Sequence, residues 1–97
     1  MTVFRPFNPT AGANQVLSPG AASASANIDP TATSVRLVNV GSNICHVRFG
    51  GGAATTADTP IRAGSEVILY KEQDQNTLQH ISALGTTLHV QTGAFGV

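Results

Sequence analysis

The chain has 97 residues and no net formal charge; 10% of its residues are charged and 41% are hydrophobic. That length fits one domain, and the apolar content is too high for a disordered chain. With no basic excess there is no field to draw nucleic acid or an anionic membrane, and neither is expected as a partner.

Charge is also scarce against the roughly 25% of an average soluble domain. Little electrostatic repulsion guards such a surface against self-association. An assembly that covers part of it is therefore expected; the competing expectation is a monomer kept soluble by Ser, Thr, Asn and Gln. In chain order, residues 1–12, "MTVFRPFNPTAG", read as an extended N-terminal arm, because Pro6 and Pro9 forbid a regular helix and favour extended backbone. The same prolines interrupt any apolar run of signal-peptide length. Phe4 and Phe7 are half of the four phenylalanines. Either both rings fold back on the chain's own core, or the arm docks on a neighbouring subunit or partner, or it is disordered. Residues 13–97 then form the single folded domain.

Ser18-Pro19-Gly20 is a turn signal. From Ala21 to Ile28 small residues alternate, with Ala22, Ala24, Ala26 and Ile28 on one face, and Pro30 ends the run. Period two predicts a strand despite alanine's helical propensity. Its alanine face predicts close approach to another sheet. Next, "SVRLVNVGSNICHVRFGGG" puts Val35 and Leu37 on one face, and Cys45, Val47 and Phe49 on one face after the Gly41-Ser42-Asn43 turn. Two alternating runs around such a turn predict a hairpin. The glycines that follow match neither GxxxxGK[ST] nor GxGxxG, and no helix begins there.

A tight turn at 62–65 leads into a strand from Glu66 to Lys71, and "KEQDQN" reads as a solvated loop. In "TLQHISALG", Leu78, His80, Ser82 and Leu84 share a face; in "TTLHVQTG", Leu88 and Val90 point inward. The tail "AFGV" is short and apolar. Six or seven short strands and no helical period predict an all-β fold, a small antiparallel β-sandwich or jelly-roll-like barrel with an extended N-terminal arm.

Chemistry-bearing residues are few. The lone cysteine, Cys45, alternates with the inward Val47 and Phe49 and reads as a small core hydrophobe. His46 cannot assist it, since adjacent strand residues point to opposite faces. His46, His80 and His89 stand apart without metal-ligand spacing, so no metal or other cofactor is expected. Among the five acids, Asp29 and Asp58 precede proline turns and read as turn and cap residues. Without Trp, and with Tyr70 alone, the chain lacks aromatic platforms for sugars or stacked bases. An enzyme is not expected.

"VRLVNVGSNICHVRFG", "TPIRAGSEVILY" and "ISALGTTLHVQTG" together resemble small structural proteins of tailed-bacteriophage virions. The likeness lies in Asn39–Ser42, Val47–Gly50, Pro60–Ser65 and Gly85–Gly93, covering residues 34 to 93. It implies a β-sandwich in a phage particle. The expectation drawn from it is a capsid decoration (cement) protein, made in the host cytoplasm and located on the virion. It would bind the major capsid protein at capsomer junctions as a homo-oligomer, a dimer or trimer. Contact would run through Phe4, Arg5 and Phe7, with Arg36 and Arg48 as charge anchors. A head–tail or tail-associated subunit is the alternative, and a carbohydrate-binding module a more distant one.

Overall fold

A computed structural model describes residues 7–9, 14–72 and 75–95, with the backbone alone for 7–9 and 94–95. The described residues form nine strands: β1 (Phe7–Pro9), β2 (Gln15–Leu17), β3 (Ala24–Asn27), β4 (Ser34–Asn39), β5 (Cys45–Phe49), β6 (Thr59–Ile61), β7 (Glu66–Tyr70), β8 (Thr77–Ile81) and β9 (Leu88–Phe95). Every pairing is antiparallel.

Two sheets result. Sheet I has the order β1-β9-β4-β7, with β2 joining β1 on the outer side of β9; sheet II has the order β3-β8-β5-β6. The pairs β2–β9, β3–β8, β4–β7 and β5–β6 form one long hairpin, folded at the loop after β5 and rolled so that its strands fall alternately into the two sheets. That is the plan of an eight-stranded jelly roll, with β1 added. The expected all-β sandwich is therefore what forms.

Alternation decides which side chains meet. Val35 and Leu37 of β4, with Leu88 and Val90 of β9, face Cys45 and Val47 of β5 and Leu78 of β8; Ile28 and Ile61 complete the buried cluster. Leu17, Phe49, Val67 and Leu69 pack around its margin. The inward phase expected for Cys45, Val47, Leu88 and Val90 holds, and the face that Leu78 shares with His80 is the inner one.

The expected hairpin at 34–49 does not form. β4 pairs with β7 and β9, whereas β5 pairs with β6 and β8, so 40–44 is a corner between sheets. Asn39 is the physical reason. Fully buried, its Nδ2 donates to the carbonyl oxygens of Asn43 (2.8 Å) and Ile61 (3.0 Å), while its Oδ1 accepts from Gly41 N (3.1 Å) and Thr86 Oγ1 (2.7 Å). Four bonds to three segments direct the chain off sheet I. Gly41 completes the corner by close approach: a Cβ there would lie 2.0 Å from Thr86 Oγ1 and 2.6 Å from Thr87 N.

Three smaller expectations are also corrected. The alanine face of β3 is not covered by a sheet: Ala22 and Ala24 are exposed, and only Ala26 and Ile28 turn inward. Leu84 lies beyond the end of β8, in the turn closed by Gly85, and is 82% exposed instead of sharing the face of Leu78, His80 and Ser82. "KEQDQN" is not simply solvated, because Lys71 is 1% exposed. It continues the inward phase of Val67 and Leu69, and its Nζ donates to the carbonyl oxygens of Gln75 (2.7 Å), Glu72 (3.1 Å) and Pro30 (3.4 Å).

Of the expected arm, residues 1–6 and 10–12 lie outside the described residues, as do Asp74 of the polar loop and residues 96–97 of the tail. Phe7–Pro9 form β1, in register with Gly93–Phe95. Pro9 sits there on an outermost strand, where its missing N–H costs no ladder bond.

Candidate functional site

The acids behave as turn residues. Asp29 Oδ1 accepts from Thr31 N (2.9 Å) and Thr31 Oγ1 (2.8 Å), and Asp58 Oδ2 accepts from Thr55 N (2.8 Å). The Thr31 hydroxyl and amide hold the Asp29 carboxyl below its ordinary range. Burial pushes the Cys45 thiol up to about 11, and it holds buried His80 below the usual histidine value. The three histidines fall in separate layers: His46 on the outer face of sheet II, His80 inside, and His89 on the outer face of sheet I. Among the described residues no three His, Cys, Asp or Glu side chains lie close enough together to hold a metal ion.

Two of the expected contact residues are visible, and they lie on opposite faces. Arg36 stands on the outer face of sheet I, where its Nε donates to Glu66 Oε2 at 2.6 Å. Arg48 stands on the outer face of sheet II, where its Nη1 donates to the Ala53 carbonyl at 3.2 Å. No flat partner can touch both, since the core separates them. Phe4 and Arg5 lie outside the described residues, and Phe7 is placed through its backbone only.

Arg48 has a local task that the sequence did not announce. The glycine-rich stretch after β5 folds across the outer face of sheet II, held by three bonds that involve side chains. Arg48 donates to Ala53, Gln79 Nε2 donates to the Gly50 carbonyl (3.0 Å), and Ala54 N donates to Ser23 Oγ (2.8 Å). Ala54 is buried beneath this flap. Gly50 (φ 87°) and Gly52 (φ 93°) supply the left-handed backbone that the reversal requires. Beside the flap, an open cleft of about 360 Å³ lies between β5, β6 and β7, lined by Val47, Phe49, Leu69, Asp58, Thr59 and Gln75 among others. Among the described residues that line it there is no buried nucleophile or charge relay.

The feature best suited to recognition is at the other end of the sandwich. Val40 and Ile44 on the β4–β5 corner and Leu84 on the β8–β9 corner are 55%, 45% and 82% exposed. The two corners are tied together. Asn43 Nδ2 donates to the Gly85 carbonyl (2.7 Å), Val40 N to the Thr87 carbonyl (3.0 Å) and Ser82 Oγ to the Ile44 carbonyl (2.8 Å). Three large aliphatic side chains thus sit on a hydrogen-bonded, pre-organised tip. Isolated surface aliphatics are ordinary, but three on two corners tied by hydrogen bonds make this end the candidate interaction site. Sequence reasoning missed this tip because it carried the strand alternation through to Leu84, on one face with Leu78, His80 and Ser82; Gly85, closing a turn right after it, was the available signal.

No family model matches the chain, and no curated protein matches it. Among solved structures it is similar to protein NMB1881 from Neisseria meningitidis, at 14% identity and a TM-score of 0.53, over 96% of this chain and 88% of that one. At that identity the likeness carries the fold alone. Among the described residues no helix is long and apolar enough to cross a membrane.

Proposed function

We propose that this chain is a virion structural protein, a decoration protein that seats on the outer shell of a tailed-phage capsid and bridges its subunits. The observation that carries an assembly role is the rigid tip of Val40, Ile44 and Leu84, on a protein with few charges to keep neighbours away. Interface cores are depleted in charge and rich in apolar surface, and a pre-ordered tip loses little entropy on docking. The phage setting rests on the resemblance of residues 34 to 93. The jelly roll is compatible with it but serves many functions, so it does not choose among them. Action is by mass action on the assembled shell: a ligand of the assembled form stabilises it by linkage.

The test is copy number in purified particles, by mass spectrometry against the major capsid protein. A number comparable to that of the shell subunit supports decoration. A handful per particle moves the chain to the head–tail connector or tail, and absence overturns the reading. A Leu84→Asp variant should stay folded and lose shell binding; undiminished binding would remove the tip from the interface.

A further inference from the structure

Among the described residues the sandwich has four sheet edges, and three are blunted. The edge beside β9 is shared by the three-residue strands β1, which carries Pro9, and β2; the three-residue β6 carries Pro60, and β3 is the short polar Ala-Ser-Ala-Asn. The fourth, β7, is Glu-Val-Ile-Leu-Tyr, with one charge and no proline or lysine inside it. Edge strands of this kind invite pairing, and natural sequences usually guard against it.

The ladder with β4 shows which backbone groups are free. Lys71 N donates to Thr33 O, and Asn39 N donates to Ser65 O, which marks 33/71 and 39/65 as hydrogen-bonded pairs. By antiparallel alternation Val35/Leu69 and Leu37/Val67 are hydrogen-bonded too. The N–H and C=O groups of Glu66, Ile68 and Tyr70 therefore point away from β4, toward the open edge. Those three residues also carry the outward side chains: Tyr70 is 62% exposed and Ile68 39%.

We infer that β7 pairs antiparallel with β7 of a second copy, on a two-fold axis through Ile68, joining the two sheets I into one continuous sheet. This register is self-complementary. Ile68 meets its own symmetry mate, and Glu66 lies opposite the second copy's Tyr70 in both halves. All three are hydrogen-bonded pairs, each exchanging two bonds. No like charges oppose each other, and the Glu66 carboxylate, already turned to Arg36, lies within reach of a phenol hydroxyl from the second copy. On the inner face Val67 meets the second copy's Leu69, so the apolar layer continues across the axis. An unrelated strand could use the same backbone groups but would not bring this side-chain match.

Strands of five residues bury little area, which places the dimer in the weak class of interfaces below about 1,200 Å². A micromolar equilibrium is expected, reinforced where two binding sites engage one surface. The dimer gives the proposed shell role its oligomer, but its test uses the isolated full chain without particles, so the two ideas fail separately. Sedimentation velocity across a concentration series should show a monomer–dimer equilibrium. Ile68→Lys and Ile68→Glu place like charges on the axis and alter only an outward side chain. Each alone should weaken dimerisation about tenfold or more. Mixed, the two variants should form a one-to-one heterodimer, a recovery that misfolding could not produce. A wild-type chain monomeric throughout, a larger closed oligomer, or an Ile68→Lys protein that dimerises undiminished would each overturn the assignment.

Discussion

Asn39→Asp exchanges one NH2 for one oxygen at the point where the chain leaves sheet I. The acceptor side of the residue keeps its bonds from Gly41 N and Thr86 Oγ1. The donor side loses both, leaving the Asn43 and Ile61 carbonyl oxygens facing another oxygen. Each abandoned buried acceptor costs about 1–3 kcal/mol. Because the site is fully buried, the introduced carboxylate also lacks solvation, which moves the expected loss to about 4 kcal/mol. Against a typical total stability of about 5–15 kcal/mol that is a severe lesion. For a domain of this size, each kcal/mol lowers the midpoint by about 4–8 °C, so the fall should be about 15–30 °C at pH 8.

The acid dependence separates this cause from simple misfit. Burial raises the pKa of the introduced carboxyl, so the folded variant holds a proton that its unfolded chain gives up. Once protonated, the group has an O–H that can restore one of the two lost bonds. The gap between variant and wild type should therefore narrow as pH falls from 8 to 5. Paired thermal and urea denaturation at the two pH values reads both effects. A midpoint drop below about 5 °C at pH 8, or a gap that does not narrow in acid, would refute the corner-clamp argument.

Lys71→Met keeps the stem and removes the ammonium from three carbonyl oxygens, and urea denaturation should show a loss of about 3 kcal/mol; a change within about 0.5 kcal/mol, as for a surface lysine, would refute its structural role. Native Cys45 should resist iodoacetamide at pH 8, its alkylation following unfolding, and rapid labelling of folded protein would contradict its burial. As pH rises from 9 toward about 11 the unfolded thiol ionises while the folded one stays protonated, so stability should fall across that window. For His80 the sign is reversed with respect to pH: the unfolded chain takes the proton first as pH falls through about 6.5, and stability is lost in acid. His80→Leu should flatten the stability profile between pH 7 and 5, and an unchanged acid slope would place the titration elsewhere.

Face assignments were legible because period two is set by the pleat alone. Cys45, Val47, Leu88 and Val90 could be assigned inward without knowing a single partner strand. Pairing was not legible for the same reason. A hairpin and a corner between stacked sheets both need two alternating runs with an inward face, and the runs around Gly41 fit either. What decides is Asn39, and its partners Ile61 and Thr86 are 22 and 47 residues away in sequence. Lys71 shows a different failure. Its phase with Val67 and Leu69 pointed inward, but its charge and its polar neighbours suggested solvent. Burial became possible only because the loop after β7 turns its own carbonyls onto the ammonium. The flap after β5 was hidden too, since glycine spacing could exclude a phosphate loop but could not reveal what the loop would cover. Arg36 and Arg48 looked equivalent in sequence, and sheet assignment alone put them on opposite faces.

The two surfaces argued above have a geometric relation that neither implies alone. β7 starts at the end of the sandwich that carries Val40, Ile44 and Leu84, because the turn after β6 lies against Asn39 there: Gly64 N donates to the Asn39 carbonyl and Asn39 N to the Ser65 carbonyl. Antiparallel pairing reverses the second β7, so the second copy's tip points the opposite way. A dimer built on Ile68 therefore presents one apolar tip at each pole and keeps both outer faces of sheet I on the same side. That is the form of a two-ended strut, able to engage two neighbouring sites at once. A single small tip binds weakly, but when both ends engage, the second contact forms at high effective concentration and overall avidity can rise by about 10²–10⁴ with no new contact. Low charge then serves both surfaces: it leaves the β7 edge open to its own copy and the tips free of a solvated shell that docking would have to strip.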